Sequence, residues 1–475
     1  MKCPATEPSP AGNERKQNCN MKNKMPLLLM ANFITVTGMA GTTDTIAPYR
    51  FITLDPGHFH AALVQKSMYP EVDPTVHVYA PKGDDVRMHM DRIASYNKRS
   101  VSPTSWKQVV YEGDDFLERM LREKKGDVVM LAGNNRKKTD YILESIRNGY
   151  HVYADKPMVT EPGSFPKLQE AFRLAEKQKL QLYDIMTERY EITTMIQREL
   201  SRSPEIFGKL LKGSPDAPAI TKESVHHFYK EVSGSPLRRP AWFYDVDQEG
   251  EGIVDVTTHL VDLVQWEAFP DQVIDYRKDI RLLSARRWNT GLTREEFRAS
   301  TAMADFPDYL RARVDPSGRL QVSSNGQIDY TLRGIHARVS VIWNYRAEPG
   351  AGDTHYSIMR GSSSDLVIRQ GKEQQYQPRL YIEKKPALDA AALQKAFASI
   401  EKKYPGITLS ANDKGWEVVI PASYREGHEA HFARVTEKYL GYLKTGKLPE
   451  WEVPNMIAKY YTTTEALKLS RRTGK

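Results

Sequence analysis

Between residues 50 and 186, short apolar runs alternate with amphipathic ones, and that rhythm restricts the fold more than any other feature of the chain. Residues 50–54 and 75–80 have the composition of strands, rich in aromatic and β-branched side chains. Residues 127–132 are apolar almost without interruption, as a strand covered on both faces must be. Residues 151–154 and 180–186 supply further strands. Helical spacing fills the gaps: 61–69, 115–124 with Phe116, Leu117, Met120 and Leu121 on one face, 139–148, and 165–179. Gly149 is placed to close the third helix in a left-handed conformation. Alternation with short connections predicts a doubly wound parallel sheet, which binds ligands beyond the carboxyl ends of its strands.

The second half reads differently. Residues 273–288, 327–345 and 354–368 are strand-rich, with turn signals at 315–318 and 348–352, and predict a large, mainly antiparallel sheet. A helix over 388–404 and a strand pair over 408–420 fall within an expected insertion at 378–420. Helices at 428–445 and 455–469 close the chain. The fold class is α/β in residues 48–186, followed by an α+β domain over 187–475.

Composition excludes several functions. Of the net charge of +8, +3 falls within residues 1–40 and the rest is spread thinly, with no Lys/Arg run interleaved with aromatics, so no nucleic-acid partner is expected. Both cysteines, Cys3 and Cys19, lie near the start, which removes a thiolate nucleophile, a Cys-ligated zinc and a disulfide framework from the body of the protein. Residues 1–20 read as an upstream or disordered segment. Residues 21–40 follow the pattern of a signal peptide: Lys22 and Lys24, an apolar stretch, then Gly38 and Ala40 before a cut. A periplasmic or otherwise exported protein is expected, and a cytoplasmic one is the alternative if that stretch is an ordinary helix. No membrane span is expected elsewhere.

Two segments carry a resemblance. Gly149-Tyr-His-Val-Tyr-Ala-Asp-Lys-Pro157 follows a strand–helix unit, and Gly250-Glu-Gly-Ile-Val-Asp-Val-Thr-Thr-His-Leu-Val-Asp262 comes about a hundred residues later. In this order they resemble the Gfo/Idh/MocA family of nicotinamide-dependent sugar oxidoreductases, and within it the exported Bacteroidetes-type members with a distinctive C-terminal domain. The resemblance spans residues 50–370 and the terminal helices. It implies a Rossmann-like first domain, a cis Lys156–Pro157 bond, and NAD or NADP as cofactor. Asp84 and Asp85, after the second strand, favour NAD through ribose hydroxyls, and export, where free nucleotide is scarce, calls for a tightly held cofactor. The resemblance also implies Lys156, Asp255 and His259 as the catalytic set.

The residues support that chemistry in their own right. Asp255 and His259 are four apart and Asp262 is three further, so on a helix they share a face. A carboxylate beside an imidazole orients it as a general base. A lysine at a strand end can steady developing negative charge on a substrate oxygen. The phosphate-binding turn departs from the family: of Gly-x-Gly-x-x-Gly only Gly57 remains, followed by His58, Phe59 and His60. These four, with Asn134, Asn135, Asp155 and Lys156, are the cofactor-binding candidates. Asp155 stands where the family has Glu. Arg189, Tyr190, His227, Trp242 and Asp262 are the substrate-binding candidates. No metal site is expected.

The expected function is hydride transfer at a ring hydroxyl of a small carbohydrate: a sugar, glycoside or polyol. Two alternatives stand beside it: an NAD-dependent glycosidase of the same fold that works by oxidation and elimination, and a non-catalytic exported carbohydrate-binding protein. A homo-oligomer is left open.

Overall fold

A computed structural model describes residues 49–232, 235–348 and 351–473. The segments 1–20 and 21–40 lie outside the described residues.

Six strands, β1 (Phe51–Leu54), β2 (Thr75–Ala80), β3 (Lys107–Glu112), β4 (Val128–Leu131), β5 (His151–Asp155) and β6 (Leu182–Ile185), form a parallel sheet in the order β3-β2-β1-β4-β5-β6. Every residue of β1, β4 and β6 is buried, which is why these segments read as unbroken apolar runs. The strand order reverses between β1 and β4, opening a crevice at their carboxyl ends. The helix Lys138–Arg147 ends as expected, with Gly149 at a φ of +86°. The sequence reading omitted the helix Asp84–Lys98 and the strand β3. The latter is an edge strand whose Val109 and Val110 are exposed, so it lacks a burial pattern.

Nine strands build the second sheet: β7 (Ile220–Tyr229), β8 (Ile280–Leu292), β9 (Leu320–Leu332), β10 (Ile335–Arg346), β11 (Thr354–Arg360), β12 (Ser364–Arg369), β13 (Arg379–Lys384), β14 (Thr408–Asn412) and β15 (Gly415–Val419). Their order is β8-β9-β10-β7-β11-β12-β13-β15-β14, antiparallel except for the parallel pair β7–β10. The expected insertion is continuous with this sheet. β15 pairs with β13, and the helix Ala390–Lys403 sends Leu393, Phe397 and Ile400 into the same core.

The end of the chain returns to the first domain. In the helix His428–Thr445, Tyr439 stacks on Tyr153 of β5 at 4.6 Å and on Tyr183 of β6 at 5.7 Å. Phe432, Val435 and Leu440 join the same core. No helix among the described residues is long and apolar enough to cross a membrane.

Candidate active site

A cavity of about 540 Å³ lies between the ends of the parallel strands and the face of the second sheet. The turn after β1 brings His58, Phe59 and His60 to it, and the loop after β5 brings Lys156. His259 comes from the start of the helix Thr257–Ala268 and Asp255 from the turn just before it. β7, β10 and β11 supply His226, Trp343 and His355, and the last part of the chain supplies His428 and His431. Seven of the chain's twelve histidines line this one space.

Lys156, Asp255 and His259 therefore converge, but not as the spacing suggested. Lys156 Nζ donates to Asp255 Oδ1 at 2.5 Å. The helix begins only at Thr257, so Asp255 precedes it and does not stack below His259. His259 Nδ1 is buried with no hydrogen-bond partner among the described residues. Asp255 thus orients the lysine and not the imidazole. Burial pulls the Lys156 ammonium down, but the carboxylates of Asp255 and Asp155 more than offset this and hold it protonated. Burial, aided by the Lys156 charge, pushes His259 down to about 3, so its imidazole is neutral at pH 7. Burial likewise lowers His60 and His355 to about 4. The Lys156–Pro157 bond is cis.

The other candidates divide. Asp155 accepts from His60 Nδ1 at 2.9 Å. Phe59 lines the cavity. Arg189 turns away from it and grips Asp262 at 2.6 and 2.7 Å, with a further bond to Glu452. Asp262 also accepts from Lys459 at 2.8 Å, so both are tied into a buried ion network and not aimed at a ligand. Neither is free to hold a substrate, contrary to the role expected of that pair. Tyr190 packs on the first core, and His227 is held by Asp353 at 3.1 Å. Neither lines the cavity, and nor does Trp242.

Several acids and imidazoles outside the sequence-derived candidates also line it, among them Glu188, Glu249 and His428. Glu188 is the neighbour of Arg189 in the 3-10 turn Thr187–Tyr190, where adjacent side chains point apart. Its carboxylate lies 3.4 Å from His428 Nδ1. Glu249 immediately precedes the Gly250 motif. Burial, and then Asp255, raise its carboxyl well above the ordinary range. His428 and His431 are three apart on a helix, a spacing visible in the sequence.

Comparison with known proteins agrees with this architecture. Residues 196–471 match the family described as "Putative oxidoreductase C terminal domain", and residues 78–184 match "Oxidoreductase family, NAD-binding Rossmann fold" (GFO_IDH_MocA). A crystal structure of a "putative oxidoreductase" from Parabacteroides merdae is 56% identical over 90% of this chain and 99% of its own, with a TM-score of 0.87. The chain belongs to the Gfo/Idh/MocA oxidoreductases. It is an NAD(P)-dependent oxidoreductase of that family. More distant solved structures share the fold. A 3-ketoreductase from Actinomadura kijaniata in complex with TDP-benzene and NADP is 14% identical over 89% of this chain and 98% of its own, with a TM-score of 0.53. Levoglucosan dehydrogenase, in complex with NADH and L-sorbose, is 10% identical over 90% and 97%, with a TM-score of 0.59. No curated protein matches the chain.

The two surfaces that a nicotinamide dinucleotide would meet here differ. Around Lys156, Asp255 and His259 the donor set suits a reacting oxygen. The phosphate turn, as arranged, is covered by the chain's own groups, which a pyrophosphate would have to displace. Its Gly57 and His58 amides, which would face the phosphates, both donate to the Ala132 carbonyl, at 3.3 and 3.2 Å. A Cβ on Gly57 would stand 2.9 Å from the Trp242 indole and from the Asp85 carboxylate, so the space above the glycine is filled by this chain's own side chains. Trp242 Nε1 donates to Asp85 Oδ2 at 2.7 Å. Asn134 and Asn135 are occupied by Gln248 and the Glu249 carbonyl, each at 2.7 Å.

Proposed function

We propose that the chain oxidises or reduces a CH–OH carbon of a carbohydrate bound in the histidine-lined cavity. One observation carries this reading: a charged amine and a neutral imidazole, Lys156 and His259, face the same enclosed space. The ammonium donates to the oxygen on the reacting carbon and stabilises negative charge there. The neutral imidazole is placed to accept the hydroxyl proton as the hydride leaves the carbon. In this family hydride exchange belongs to the nicotinamide; the chain's own residues hold the oxygen and move the proton. Neutral imidazoles both donate and accept, and Phe243 and Trp343 add aromatic surface, a combination that suits a polyhydroxylated ring. Levoglucosan dehydrogenase, which shares the fold and is in complex with L-sorbose, supports it.

The test is a panel of sugars, glycosides and polyols incubated with the protein and NAD or NADP, followed by the absorbance of the reduced nicotinamide. At least one sugar should reduce it; a panel with no turnover by either nucleotide contradicts the reading.

A second reading, a glycosidase that works by oxidation and elimination with retained cofactor, is favoured by Glu249. Its carboxyl lines the cavity, and burial and the neighbouring Asp255 raise its hold on a proton, as suits an acid facing a leaving oxygen. Release of an aglycone without net accumulation of reduced nicotinamide distinguishes it. We include export in the proposal on the pattern of residues 21–40. N-terminal sequencing of protein recovered from the periplasmic fraction should begin at residue 41.

A further inference from the structure

The turn that replaces the glycine motif has its own chemistry. His60 Nδ1 lies 2.9 Å and His58 Nδ1 3.8 Å from one oxygen of Asp155. The ligand atoms of all three residues fall within 4.8 Å of one another. Donor atoms on a tetrahedral zinc stand roughly 3.4 Å apart, so an ion enters this group with small side-chain shifts. Two imidazole nitrogens and a carboxylate are a donor set used by zinc and other first-row divalent ions, which keep a further position open for water or substrate.

The three side chains are also held. Both amides of the turn are pinned to the Ala132 carbonyl, and Lys138 Nζ donates to the Asp155 carbonyl at 3.1 Å. His58 packs against Phe59 at 4.7 Å, and His60 against Phe432 at 4.7 Å, an apolar collar round the polar atoms. The neighbouring ammonium of Lys156 is engaged by Asp255. Access is direct, because His58 and His60 line the cavity. A third glycine in this kind of turn serves close helix–strand packing, and His60 gives that up for a side chain aimed at β5.

We propose that His58, His60 and Asp155 bind a divalent first-row metal ion whose open coordination position faces the cavity. The site does not rest on the carbohydrate reading, and its test reads no turnover.

Full-length protein stripped with a chelator should take up one Zn2+ per chain, measured by mass spectrometry of the metal after desalting. Co2+ in its place should show the visible ligand-field bands of a four- or five-coordinate ion. His58→Ala and His60→Ala should each weaken Co2+ binding about 100-fold or more. His226→Ala, on the opposite wall, should leave it unchanged. If the buried His60 variant fails to fold by circular dichroism, His58→Ala and the near-isosteric Asp155→Asn carry the test. Wild-type protein that leaves Co2+ as the six-coordinate aqua ion overturns the proposal. So does a His58→Ala or Asp155→Asn variant that binds as the parent does, in which case His60 and Asp155 are a hydrogen-bonded pair only.

Discussion

At the scale of single residues, the cavity depends on which charge faces which. Lys156 stays protonated because Asp255 and Asp155 outweigh its burial. Asp255→Asn removes the larger of those carboxylates and should shift the lysine's titration to lower pH. A pH–rate profile with its basic limb displaced downward checks this; an unmoved limb would show that Asp255 does not govern the amine. Asp85 gives a stability prediction. Burial pushes its carboxyl up to about 6, above the roughly 3.9 of an unfolded chain. The folded protein therefore holds the extra proton, and the stability this gives is complete below about pH 4 and lost as pH rises through about 6. Asp85→Asn keeps an acceptor for Trp242 and should flatten that part of the stability–pH curve measured by urea unfolding. Much of this was legible in the sequence as residue identity but not as pairing. The Asp-x-x-x-His spacing points to a shared face only if the helix already runs through Asp255, and it starts at Thr257. Likewise Glu188 and Arg189 are adjacent in sequence, yet only the first reaches the cavity.

At the scale of elements, the segment Ala241–Tyr244 and the residues after it lie on the phosphate turn. Trp242 covers Gly57, while Gln248 and Glu249 hold Asn134 and Asn135. Trp242→Ala should open the space above Gly57 and tighten binding of NAD(H), read by nicotinamide fluorescence. Unchanged or weaker binding would mean that the indole is part of the nucleotide's surface and not a cover. The helix His428–Thr445 completes the first core through Tyr439. Tyr439→Ala leaves a hole between Tyr153 and Tyr183 and should cost about 3–5 kcal/mol in urea unfolding. Strand and helix alternation was readable because burial on both faces writes itself into composition. β3, with exposed valines, and the helix Asp84–Lys98, which opens on two acids, carry no such mark. The contact of Trp242 with Gly57 joins residues far apart in the chain, and no local period encodes it.

At the scale of the molecule, a buried ion network ties the parts together. Lys459 in the last helix bonds Asp184 of β6 at 2.6 Å and Asp262 of the helix Thr257–Ala268 at 2.8 Å, and Arg189 joins Asp262 to Glu452. Lys459 is fully buried, so Lys459→Met leaves uncompensated carboxylates and should destabilise by about 3–5 kcal/mol. A smaller loss would mean that Arg189 alone satisfies the network. This network and the cavity share a wall, the helix Thr257–Ala268, which presents His259 to one and Asp262 to the other. The central claim, that Lys156 and His259 move a proton on a bound sugar's hydroxyl, is tested most directly by two variants assayed together. For a sugar that the enzyme turns over, Lys156→Met and His259→Gln should each lower kcat/KM by about 10²–10⁴-fold, with sugar affinity by calorimetry changed only a few-fold. Turnover that survives in either variant, or a loss that lies wholly in binding, would contradict it.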